Sequence, residues 1–132
     1  MFCLDTNIWS HLMRRPPESL SLRLRGCRVD EICLSELTRA ELLHGAVRSS
    51  RPDELRQKVA RMIAPYRCLP FGGIAVEHYA AIRGALEKSG TPISSNDLIN
   101  AATARSVGAI LVTANFKELS RVPGLTCEDW TT

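Results

Sequence analysis

Short apolar runs punctuate the chain, and between them lie longer segments whose apolar residues recur every three or four positions. Met1-Phe2-Cys3-Leu4 carries no charge and no alternation, the pattern of a strand buried on both faces. Asp5-Thr6-Asn7 comes next, three residue types suited to turns and helix N-caps. Ile8, Trp9, Leu12 and Met13 then predict a short helix. The run EICLS (31–35) reads as a second strand. Residues 37–50 read as a helix broken by Arg51-Pro52, and 53–64 as another that ends near Pro65. YRCLPF (66–71) is a short strand punctuated by Gly72-Gly73. Helices follow over 75–90 and 94–108, with Gly90 and Gly108 placed to close them. AILVT (109–113) is a clearly buried strand, and LTCEDW (125–130) reads as a last edge strand.

Strands separated by helical patterns imply crossover connections and a parallel sheet. The fold expected is α/β, in one domain spanning 1–132, since ~100–200 residues per domain is usual. The two most apolar strands, 1–4 and 109–112, belong at the centre. Each is followed at once by polar residues, Asp5-Thr6-Asn7 and Thr113-Ala114-Asn115. Adjacent parallel strands would put those turns side by side at the carboxyl edge of the sheet, where open α/β sheets hold their ligands.

Composition narrows the class. Apolar residues make up 45% and charged residues 23% of the chain, the balance of an ordinary globular protein. The net charge of +3 permits nucleic-acid binding without demanding it. Of 17 basic residues only three are Lys, and Arg14, Arg15, Arg23, Arg25 and Arg28 crowd one stretch. That stretch is either a solvated helix face or a patch for phosphate or an acidic partner. The five cysteines are odd in number and include no CxxC, so they read as small buried hydrophobes in a reducing compartment. No apolar stretch is long enough to span a membrane, and no basic-then-apolar leader precedes Asp5. A cytoplasmic location is expected.

The chemistry lies in scattered acids. With Ser95 as N-cap, Asp97 would be the second residue of its helix, where the dipole favours a carboxylate. Glu41 falls at the rim of an apolar stripe formed by Leu37, Ala40, Leu43 and Val47, one turn before Arg48. Asn115 follows its strand within a turn, and Glu118 is three residues on. Each has an ordinary explanation alone: Asp5 and Asp97 as helix-terminal residues, Glu41 as half of a surface pair, Asn115 as a turn residue. Together they fall at junctions that can meet at one sheet edge. Converging carboxylates repel unless a cation lies between them. A hard divalent ion, Mg²⁺ or Mn²⁺, suits such oxygen ligands and can act on a phosphodiester.

The segments LDTNIW, RAELLHG, GTPISSNDLINAATARSVGAILVTANFKEL and VPGLTCEDW resemble the PIN-domain ribonucleases, in particular the toxin half of VapBC-type toxin–antitoxin pairs. The likeness runs from residue 2 to about residue 130. It implies a three-layer α/β/α sandwich around a parallel sheet of four to five strands. It also implies a Mg²⁺- or Mn²⁺-dependent endoribonuclease acting on structured RNA such as tRNA. A homodimer is implied, bound by a cognate antitoxin that alone contacts DNA. The family's acidic positions fall on Asp5, Glu41, Asp97 and Asn115. Asp5 and Asp97 would ligate the metal, Glu41 would bind or orient it, and Asn115 would hold a water or the substrate phosphate. Thr6 and Thr113 would brace these groups. Asn115 stands where many relatives carry Asp, which leaves Glu118 as a substitute charge. Glu36 reads as a cap-region acid. His11, His44 and His78 read as bystanders, and Trp9 and Trp130 as core or interface anchors.

Two other readings compete. An aspartyl phosphotransfer enzyme would need a second Asp two residues after the first, and position 7 is Asn. A decayed RNA- or partner-binding module would keep the fold without the metal.

Overall fold

The computed structural model describes all 132 residues. Five parallel strands, β1 (Phe2–Leu4), β2 (Ile32–Ser35), β3 (Arg67–Leu69), β4 (Ile110–Val112) and β5 (Cys127–Glu128), lie in the order β3-β2-β1-β4-β5. Seven helices join them: α1 (Thr6–Met13), α2 (Glu18–Arg25), α3 (Glu36–Val47), α4 (Pro52–Ile63), α5 (Ile74–Lys88), α6 (Ser95–Ser106) and α7 (Phe116–Leu119). β1 is central, as its run of uncharged residues predicted. The chain winds from β1 outward to β3, then returns to β4 on the other side. The winding direction therefore reverses between β1 and β4, the position at which such sheets open a crevice.

The sheet alternates in register, so each strand feeds two cores. Cys33 and Leu111 flank Cys3 on either side, and all three face α5 and α6, packing with Ile82, Leu86, Leu98 and Ala101. Leu4, Ile32, Leu34 and Val112 face the opposite layer, with Ile8, Trp9, Leu20, Leu42 and Val59. This is the three-layer α/β/α sandwich expected. The edge strands are short, which limits open backbone for stray pairing.

Trp9 and Trp130 are both core residues. Trp9 Nε1 donates to the Leu4 carbonyl at 3.0 Å, and Trp130 Nε1 donates to Glu128 Oε1 at 2.9 Å. Gly108 has φ 67°. It supports a double closure of α6, in which the Ala109 amide reaches the Ala104 carbonyl at 2.9 Å and the Gly108 amide reaches Arg105 at 3.2 Å. The closure turns the chain directly into β4.

Several local expectations need correction. The buried face of α3 is Thr38, Leu42 and Ala46, while Val47 and Ala40 are exposed. A wheel weighted by hydrophobicity misses this, because Thr38 is polar yet fully buried with its hydroxyl among partners. The N-cap of α6 is Ser94, whose Oγ accepts from the Asp97 amide at 3.2 Å, so Asp97 is the third helical residue. Glu41 makes no ion pair with Arg48. The arginine-rich stretch contains a helix, α2. Two of its arginines are spent on ion pairs, Arg23 with Glu128 at 2.6 Å and Arg28 with Asp30 at 3.0 Å.

Candidate active site

Asp5 leaves β1 with its amide donating to the Val112 carbonyl at 3.0 Å, which ties the end of β1 to the end of β4. Its Oδ1 accepts from the Ile8 amide at 3.2 Å, so it does cap α1. Capping is not its whole situation. The side chain is 6% exposed, and burial raises its pKa to about 6. The Thr113 hydroxyl and the Ile8 amide pull that value down, while the negative charges of Asp97 and Glu41 push it up. Asp5, Asp97 and Glu41 therefore share one electrostatic neighbourhood.

Each neighbour is held by a named donor. The Thr6 hydroxyl donates to Glu41 Oε1 at 2.6 Å, and Asn96 Nδ2 donates to Glu41 Oε2 at 3.1 Å. Glu41 is therefore pinned between the first turns of α1 and α6. Asn115 Nδ2 donates to Asp97 Oδ2 at 2.9 Å and to Glu118 Oε2 at 3.2 Å. The Asn115 amide itself donates to Thr113 Oγ1 at 2.9 Å, which fixes the turn after β4. All four expected positions meet at the carboxyl ends of β1 and β4, and Glu118 joins them.

Sequence reasoning missed the layer beneath. Thr38 Oγ1 lies 3.3 Å from Thr6 Oγ1 and 3.3 Å from Ser35 Oγ, and Ser35 Oγ donates to Asn100 Oδ1 at 2.5 Å. Ser35, Thr38 and Asn100 are all buried. Asn96, Ser35, Thr38 and Asn100 thus belong to the site's support. Polar residues at the core-facing positions 35, 38 and 100 were the available signal.

No ion pair of the chain involves Asp5, Glu41, Asp97 or Glu118. Hard carboxylate oxygens without a compensating cation, one of them buried, are a donor set that fits Mg²⁺ or Mn²⁺. The acids do not form a closed cage of three ligands in this arrangement. Asp97 and Glu41 are engaged by amide and hydroxyl donors instead. The histidines stand apart: His11 and His44 are exposed, and His78 Nδ1 accepts from Arg105 Nε at 2.8 Å. Glu36 opens α3 and pairs with Arg39 at 2.8 Å.

Residues 2–125 match the model of the PIN domain. The chain belongs to the PIN-domain family. Similarity within that family extends over the whole length. The tRNA(fMet)-specific endonuclease VapC of Salmonella typhimurium is 33% identical over 129 residues, covering 98% of this chain and 97% of the relative. The VapBC2 structure from Rickettsia felis, bound to a DNA fragment from its promoter, superposes with a TM-score of 0.91 at 30% identity, over 98% of each chain. The DNA-bound VapBC structure from Salmonella typhimurium also gives 0.91, at 33% identity over 98% of this chain and 97% of that one. Among PIN domains, this one therefore groups with the VapC proteins.

Proposed function

We propose that this PIN domain is a metal-dependent endoribonuclease acting as the toxin of a VapBC-type pair. The observation that carries the reading is the meeting of Asp5, Glu41, Asp97 and Asn115 at the reversal between β1 and β4, in a chain similar end to end to VapC endonucleases. Structured RNA is the proposed substrate, with tRNA the favoured class because the Salmonella relative carries that specificity in its name. A cognate antitoxin is the proposed partner, DNA contact would come only through it, and the working form is a homodimer. The VapBC complexes among its structural neighbours support the antitoxin.

Asp5, Asp97 and Glu41 would hold the Mg²⁺ or Mn²⁺. When bound, the ion supplies positive charge against the phosphodiester and makes water a better nucleophile. The chain's own residues do the rest. Thr6 and Asn96 orient both oxygens of Glu41. Asn115 holds Asp97 and Glu118 on one side of the cleft, and its single amide group offsets two negative oxygens. The Ile8 amide fixes one oxygen of Asp5. Without an ion in the cleft, Asp5 gives up its proton only as pH rises through about 6.

End-mapped cleavage of total cellular RNA by the purified protein, with Mn²⁺ or with EDTA, tests the reading beside Asp5→Asn. A discrete product requiring both metal and Asp5 supports it. Neither cleavage nor Mn²⁺ binding by the folded protein would leave only the decayed module.

A further inference from the structure

A groove of about 200 Å³ runs between α1, α3 and α4, and it starts at the acidic centre. α1 lines it with Ser10, Met13 and Arg14, α3 with Glu41, Leu42 and Gly45, and α4 with Leu55 and Lys58. Thr6, which contacts Glu41, and Arg14 are eight residues apart, on the order of 12 Å along a helix axis. A second depression on the other side of α1 shares Ser10 and Arg14 and reaches Ala114, the residue before Asn115. Arg14 therefore stands on a path that leaves the centre by both Glu41 and the β4–α7 turn.

Two features of the groove are unexplained by folding. The first is its cations. Arg14 makes no side-chain hydrogen bond and no ion pair, unlike Arg23 and Arg28. Lys58 Nζ donates to the Met13 carbonyl at 3.0 Å, which holds the ammonium next to Arg14 without neutralising it. The second is Gly45. It lies in the interior of α3, where glycine disfavours helix. Its φ is not positive, and a Cβ built there meets nothing within 4 Å. Neither backbone conformation nor packing requires glycine, and its presence leaves the groove wall free of a side chain at this point.

We propose that this groove is a nucleotide subsite, resting on the ribonuclease reading above. It takes one nucleotide of a single RNA strand flanking the cleavage centre. The phosphate lies on Arg14 and Lys58, and the ribose and base lie over Gly45 against Met13, Leu42 and Leu55. A run of acids at the centre repels RNA, and the two free cations supply the attraction that leads the strand to it.

The test is binding of a fluorescein-labelled single-stranded oligoadenylate in EDTA, followed by anisotropy across a salt series. Arg14→Gln and Lys58→Gln should each lower the log–log salt slope by about 0.7, weakening binding about fivefold near 0.1 M salt and converging at molar salt. Arg14→Lys keeps the charge and should keep the slope. Gly45→Leu should weaken binding with the slope unchanged, because it removes space and no charge. Circular dichroism checks that each variant is folded. Parent-like affinity and slope in both Gln variants, with a parent that binds and cleaves RNA, overturns the subsite alone. A parent that neither binds nor cleaves RNA removes the ribonuclease reading and the subsite with it. If the Gln variants lose affinity for polyglutamate and keep it for RNA, the groove serves an acidic protein and the proposal is wrong.

Discussion

Asn115 Nδ2 donates to Asp97 Oδ2 at 2.9 Å and to Glu118 Oε2 at 3.2 Å, so a neutral amide joins two carboxylates at the end of β4. The amide is a donor where an aspartate would be a third acceptor. Its presence has opposite consequences with and without a cation in the cleft.

Asn115→Asp should therefore tighten Mn²⁺ binding and destabilise the metal-free protein. Losing the donor leaves two half-buried acids facing a third, a cost of about 1–2 kcal/mol. Calorimetric Mn²⁺ titration and urea unfolding in EDTA read the two effects separately. Weaker Mn²⁺ binding would mean that the side chain does not face the ion.

Asp97→Asn should abolish cleavage while keeping the fold. The Asn side chain still offers an oxygen to Asn115, and removing the charge relieves Asp5. The opposing loss is the favourable placement of a carboxylate in the first turn of α6, about 0.3–1 kcal/mol. Unfolding in EDTA should shift by no more than that, and full activity in this variant would remove Asp97 from the mechanism.

Thr6→Val removes the 2.6 Å hydrogen bond to Glu41 and keeps the side-chain shape. By the usual weight of groups that orient a metal ligand, Mn²⁺ affinity or cleavage rate should fall roughly 10–100-fold. Thr6→Ser should restore most of it. Unchanged values in both assays would show that Asn96 alone suffices to hold Glu41.

Asp5 sets a pH dependence of stability in EDTA. Its folded pKa, about 6, lies above that of an unfolded aspartate. The folded state therefore binds the proton more tightly. The resulting stabilisation is complete below the unfolded pKa and is lost as pH rises through about 6. The midpoint of urea unfolding should fall across that window, by the equivalent of about 3 kcal/mol at most. Asp5→Asn should flatten the profile. Saturating Mn²⁺ should oppose the fall, because binding favours the ionised carboxylate.

The strands and most helices were legible because burial on both sheet faces leaves uncharged runs, and Pro and Gly mark where the chain turns. α2 was hidden. Its arginines dominate the local composition, and only Leu20 of that helix is buried. The face of α3 was misjudged for a related reason: Thr38 is polar in sequence and buried in space, satisfied by Ser35. The α6 cap was off by one, since three consecutive polar residues, Ser94, Ser95 and Asn96, can each cap a helix and only the packed chain chooses Ser94.

The sequence by itself determined the parallel α/β class, the central places of β1 and β4, and the polar residues at their carboxyl ends. Local patterns encode these, because strand burial and helix caps depend on a few adjacent residues. Only the tertiary structure decided which donor holds which acid. Thr6 with Glu41, Asn96 with Glu41, and Asn115 with Asp97 link residues 35, 55 and 18 positions apart. Such hydrogen bonds depend on side-chain geometry to within a few tenths of an ångström. That geometry is set by the packing of α1, α3 and α6 around the end of the sheet, which no local pattern specifies.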